Sequence, residues 1–167
     1  MNTRDHLNSI YAPLHRAGVE ALRQIQAIGF SATLGYYNLH EVIVDGQYQT
    51  EYFPLPEIAI NGIASAADFG ISLDGSAWLE LTLSREAALA ADYGALANRW
   101  RFEVYGAENY LTDFTYTCDA PNEVKDAILA SGEAELHVGF HLDTWNSEAL
   151  SGLFQSLERA GLICPQP

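Results

Sequence analysis

Apolar positions recur along this chain with two different periods, and the places where the period changes mark out its elements. From Thr3 to Ile28, Leu7, Tyr11, Leu14, Gly18, Ala21, Ile25 and Ile28 follow one another at steps of four and three, and Ile10 and Leu22 widen the stripe. That is one face of a helix, with Thr3 as a suitable N-cap and Gly29 as a suitable stop. Pro13 falls inside the stripe and predicts either a kink or a break into two helices. The last helix follows Asn146, its cap, with Leu150, Leu153, Phe154 and Leu157 on one face and Trp145 placed to staple against Leu150. Gly161 and Pro165 close it.

Three stretches alternate with period two. In the first, Phe69, Ile71 and Leu73 share a face and so do Ala77, Leu79, Leu81 and Leu83, with Trp78, Glu80 and Thr82 on the other. Asp74-Gly75-Ser76 predicts the turn between them. The second, Arg99 to Cys118, reads as a hairpin. Pairing its large apolar rows sets Trp100 against Tyr116, Phe102 against Phe114 and Val104 against Thr112, with Ala107, Glu108 and Asn109 in the loop. In the third, Leu136, Val138, Phe140 and Leu142 point inward while Glu135, His137, Gly139, His141 and Asp143 point outward. Between these, Ser84 can cap a short Ala-rich helix that runs to about Tyr93 and ends at Gly94. Asp119 and Pro121 open a helix buried through Val124, Ala127 and Ile128 and ended by Gly132.

The stretch from Phe30 to Gly62 is the least regular. Short strands are predicted at residues 32–37, 41–44 and 47–53, with Asp45-Gly46 as a two-residue hairpin turn and a further strand near Glu57–Asn61. Pro54 and Pro56 predict an extended connection or a sheet edge. There is no internal repeat, low-complexity run or linker. The expected fold is therefore one α+β domain over residues 1–167, a mainly antiparallel twisted sheet with helices packed on one face and a helix at each end. A length of 167 residues suits a single core.

Charge changes the picture more than composition does. Twenty-two acids face eight bases, a formal net charge of −14. Between Gln24 and Ser84 there is no Lys or Arg, while Glu41, Asp45, Glu51, Glu57, Asp68, Asp74 and Glu80 all fall there. Such a field repels phosphates, so nucleic acid is not an expected partner and a basic protein is. No apolar run is long enough to span a membrane, and the expected location is the cytoplasm. Cys118 and Cys164 have neither metal nor redox spacing and are expected as reduced thiols.

Two sets of residues are candidates for function. Tyr36, Tyr37, Tyr48 and Tyr52 cluster in the cation-free stretch with Glu41 and Glu51, and tyrosines bring contact area at little entropic cost. These six form the expected partner-binding set, and a homodimer through the same strands is an open option. The other set lies on the polar sheet face. In the expected register Glu103 and Asp113 stand opposite each other, and His137 on an adjoining strand would complete a carboxylate–imidazole cluster able to hold a metal or do acid–base work. His137 and His141 lie on one face of a strand but roughly 13 Å apart, too far to share an ion. No phosphate-binding loop, zinc-protease motif or nucleophile elbow occurs, so no catalytic residue and no cofactor is expected. The leading expectation is a non-enzymatic binding module of the chaperone, inhibitor (immunity) or adaptor type. A metal-binding or hydrolytic domain built on Glu103, Asp113 and His137 is the alternative.

Overall fold

The computed structural model of the chain describes residues 3–44, 46–62, 66–72, 74–96, 99–106, 110–112 and 121–164. Helix α1 spans Thr3–Ile28 without interruption, with Pro13 inside it. The long hairpin of β1 (Ser31–Val44) and β2 (Gln47–Asn61) follows, then β3 (Ala66–Ile71), β4 (Ala77–Ser84) and α2 (Arg85–Ala90). A 3-10 turn at Tyr93–Ala95 leads to β5 (Arg101–Gly106), β6 (Tyr110–Thr112), α3 (Pro121–Ser131), β7 (Glu135–Leu142) and α4 (Ser147–Arg159). The seven strands form one antiparallel sheet in the order β1-β2-β3-β4-β7-β5-β6. This is a single α+β domain.

Local chemistry accounts for most boundaries. Val44 pairs with Gln47, and Gly46 between them takes φ 77°, while Asp45 of the expected turn lies outside the described residues. Gly75 takes φ 84° in the β3–β4 turn, where the Asp74 carboxylate accepts from the Ser76 N–H and hydroxyl. Those bonds hold the Asp74 carboxyl below its ordinary range. The Ser84 hydroxyl caps α2 by accepting from Ala87 N–H, and the Asn146 side chain caps α4 by accepting from Ala149 N–H. Gly132 and Gly161 end α3 and α4 with φ 70° and 75°.

Three expectations are corrected. The short strands expected between residues 32 and 61 are two long ones, with a register shift between Leu39 and Glu41. Pro54 and Pro56, expected in an extended connection or at a sheet edge, lie in β2 where it is an edge: β3 pairs with it only from Glu57 to Ile60, so among the described residues β1 is its one strand neighbour at the prolines. The helix after Ser84 stops at Ala90, and Tyr93 belongs to the 3-10 turn, its buried hydroxyl donating to Ala88 O at 2.7 Å. Burial pushes that phenol's pKa far up. In the hairpin after Arg99, Val104 pairs with Thr112 as expected, but the register then shifts and Tyr105 pairs with Tyr110. The pairings expected for Phe114 and Tyr116 lie outside the described residues.

The sheet divides the molecule. On one side Phe69, Leu79, Leu81, Phe102, Leu136, Val138 and Phe140 are all no more than 1% exposed, under helices whose own stripes (Ala21, Ile25, Val124, Ile128, Leu150, Leu153, Leu157) are equally buried. Phe102 and Phe140 face each other across β5 and β7 with ring centroids 5.7 Å apart, and Phe30 meets Phe154 of α4 at 5.6 Å. Trp100, just before β5, is only partly buried, beside Gly152 of α4. Among the described residues no helix covers the other side of the sheet.

Candidate functional site: the open face of the sheet

Because strand register is fixed on the covered side, it is fixed on the open side too, and three rows run across the strands. One is Gly35, Glu57, Gly70, Trp78, His141, Arg101; the next is Thr33, Ala59, Asp68, Glu80, Gly139, Glu103; the third ends in Thr82, His137 and Tyr105. Glu57, Asp68 and Glu80 thus stand on the neighbouring strands β2, β3 and β4, and Glu103 stands on β5 with β7 between. Among the described residues Arg101 is the one Arg or Lys on these strands, at the end of its row, and its guanidinium donates to Asp143 Oδ1 at 2.9 Å.

The carboxylates feel one another. Burial, and after it the charges of Asp68 and Glu80, pushes the Glu57 carboxyl up. Burial and then Glu80 push Asp68 up. Farther along, imidazoles and a phenol interleave with the acids. The Tyr105 hydroxyl donates to Glu80 Oε2, and the Tyr105 ring stacks on His137 with centroids 5.2 Å apart. His137 Nδ1 is 3.2 Å from Thr82 Oγ1 and 3.6 Å from Glu80 Oε1, and its Nε2 is 3.9 Å from Glu135 Oε1. His141 Nε2 lies 3.5 Å from Glu103 Oε1.

Two hollows dent this face. One, of about 240 Å³, lies over Gly139 and is lined by Trp78, Glu80, Glu103, Tyr105 and His141. The other, of about 250 Å³, lies at the β1–β2 end over Gly35, with Thr33, Tyr36, Glu57 and Ala59 around it. Between them the Trp78 indole lies over Gly70, so closely that a side chain at Gly70 would collide with it, and Tyr37 meets Trp78 edge-on at 6.4 Å. Leu55, the cross-strand partner of Tyr37, is 1% exposed.

The residues expected to bind a partner are divided by this geometry. Tyr37 lies on the open face. Tyr36 points the other way, toward α1, where its hydroxyl is 2.8 Å from His15 Nδ1 and its ring stacks on that imidazole. Glu41, Tyr48, Glu51 and Tyr52 lie on the outer half of the β1–β2 hairpin, and their side chains are outside what the structure describes. In the metal set, Glu103 is a cross-strand neighbour of Gly139 and sits by His141, while His137 is the neighbour of Tyr105 and Thr82. Asp113 is outside the described residues. No group of three His, Cys, Asp or Glu among the described residues is placed to hold a metal ion. Cys164 is exposed beyond α4, and Cys118 is outside the described residues.

Trp78, Glu80, Tyr105 and Gly139 were not in either expected set. Alternation had put Trp78 and Glu80 on the polar side; what it could not show was that β7 stands between β4 and β5. The signal available in the sequence was Gly139, a glycine in the middle of an alternating strand.

No family model and no curated protein matches the sequence. A solved structure, that of a conserved hypothetical protein from Pyrococcus furiosus, is similar over 96% of this chain and 97% of its own, with a TM-score of 0.62 and 18% identity. That likeness is one of fold. No helix among the described residues is long and apolar enough to cross a membrane.

Proposed function

We propose that this protein is a binding module for a basic protein partner, which it holds against the open face of its sheet. The observation that carries this is the gathering of Glu57, Asp68 and Glu80 on the adjacent strands β2, β3 and β4, with Glu103 on β5 across β7, with pKa values raised at Glu57 and Asp68 and no Lys or Arg interspersed among the described residues. Carboxylates held together against their mutual repulsion make a surface whose free energy falls when a cation covers it. Aromatic side chains at Tyr37, Trp78 and Tyr105 add contact area of the kind that interfaces favour. The role fits a chaperone, inhibitor or adaptor acting in the cytoplasm.

Metal-dependent or hydrolytic chemistry at Glu103, Asp113 and His137 has less support. The imidazole beside Glu103 is His141, and the carboxylates beside His137 are Glu80 and Glu135.

The test is binding of a fluorescein-labelled oligolysine peptide, followed by anisotropy at rising salt. Binding at about 20 mM salt that weakens steeply by about 200 mM is expected. The double variant Asp68→Asn/Glu80→Gln should bind at least several-fold more weakly, and Glu158→Gln, at an exposed position of α4, should bind as the parent does. Absence of salt-sensitive binding by the parent protein would refute the reading.

A further inference from the structure

Glycines in this sheet and its neighbouring helix fall into two groups. At Gly18 a Cβ would lie 2.6 Å from the Pro56 Cβ, at Gly70 it would run into the Trp78 indole, and at Gly106 into the Glu133 side chain. Packing explains those three. Gly35 and Gly139 are different. Neither is among the glycines in the left-handed region, and a Cβ would meet only Glu57 O at 3.7 Å in the one case and only Tyr105 Cε1 at 3.7 Å in the other, ordinary contacts. Of the two, Gly139 has a carboxylate residue as its strand partner on each side. Glycine weakens a strand interior through backbone entropy and the missing side chain, and where neither conformation nor packing calls for it, close approach of another molecule is the remaining reason.

The surroundings say what approaches. Gly139 pairs with Glu80 on one side and Glu103 on the other, so two carboxylates flank a position that has no side chain, their Cα atoms roughly 10 Å apart. Both are already oriented, Glu80 by the Tyr105 hydroxyl and Glu103 by the imidazole of His141. Trp78 and Tyr105 supply ring surfaces at the rim, and the space is about 240 Å³. The volume suits one long side chain, below the range of drug-sized ligand pockets.

We propose that the hollow over Gly139 receives a single arginine side chain of the basic partner. A guanidinium is planar, so it can present N–H groups to carboxylates on opposite sides while its face lies against an aromatic ring. It is also more weakly hydrated than an ammonium, so partial burial costs it less than it costs lysine. This rests on the reading of the open face as a docking surface, and adds to it a preference for one residue type at one place.

Two labelled peptides of equal charge decide the matter, one all-lysine and one with a single central arginine, titrated against the parent protein, Gly139→Val and Glu103→Gln at low salt. The parent should bind the arginine peptide on the order of tenfold more tightly than the lysine peptide. Gly139→Val, which fills the hollow, should bind both peptides alike. Glu103→Gln, an isosteric change, should narrow the preference without filling the hollow, and it keeps the test alive if the valine variant fails to unfold cooperatively. Equal affinity of the parent for the two peptides, or a preference that survives Gly139→Val, overturns the arginine pocket and leaves the docking face standing. If neither peptide binds the parent, the docking face falls and the pocket with it.

Discussion

Gly139 and Phe140 are consecutive residues of β7, and they stand in opposite environments. Phe140 is 1% exposed and packs on Phe102 beneath the helices. Gly139 lies on the bare side, flanked by Glu80 and Glu103. The covered face is built for packing: from β3 to β5 its positions are apolar and buried. The open face carries raised carboxylate pKa values, engaged imidazoles and a strand glycine that packing does not need. Features that stabilise nothing are concentrated on one side of a sheet whose other side is well made, and that contrast locates function without a motif.

The contrast can be broken most directly at Phe140. Phe140→Ala should cost about 3–5 kcal/mol, because a fully buried ring leaves a cavity its neighbours cannot fill. Denaturant unfolding measures it, and a loss under about 1 kcal/mol would mean that the covered face is not the core. Asn146→Ala removes the side chain that accepts from Ala149 N–H at the start of α4 and should cost about 1 kcal/mol, with both faces of the sheet otherwise intact. Gly139→Ala should run the other way, stabilising by about 0.4–1 kcal/mol through the unfolded state. A destabilisation of that size would show that the fold itself requires the glycine, and the hollow would lose its argument.

The smallest effect is electrostatic. Asp68 holds its proton more tightly in the folded chain than in the unfolded one, since burial and Glu80 raise its pKa. Its contribution favours folding below its ordinary titration range and is lost as pH rises through the raised value. Asp68→Asn should therefore raise Tm at pH 7 by about a degree or two, and the gain should shrink as pH falls toward 4. A gain that is independent of pH would assign the effect to something other than the carboxylate.

Elements with a local cause were legible in the sequence. The α1 stripe, the Ser84 and Asn146 caps, the positive φ at Gly46 and the inward rows of β3, β4 and β7 each depend on residues close together in the chain, and the period of the pattern shows them. The positions of the strands relative to one another were not. Nothing near Glu80, Glu103 or His137 says that β7 pairs with β4 through Trp78↔His141 and with β5 through Arg101↔His141, because those pairings are decided by shape on the covered face. The candidate site was therefore half visible. Its outward residues were known strand by strand, but which of them stand together was not, and Glu103 was grouped with His137 when its neighbour is His141.

The place of β7 also has a bearing on the order in which a growing chain can assemble. Strands β1 to β4 are consecutive neighbours and can pair as each is made, whereas β5 is joined to that group only through β7. Until Glu135–Leu142 has been synthesised, β4 presents an unpaired edge and the β5–β6 pair has nothing to attach to. Closing the long loop from Arg85 to Ala134 is the entropic step that insertion of β7 must overcome. An exposed edge of that kind is where pairing with a foreign strand begins. The strand that carries Gly139 is thus also the one whose arrival ends the chain's exposure to misassembly.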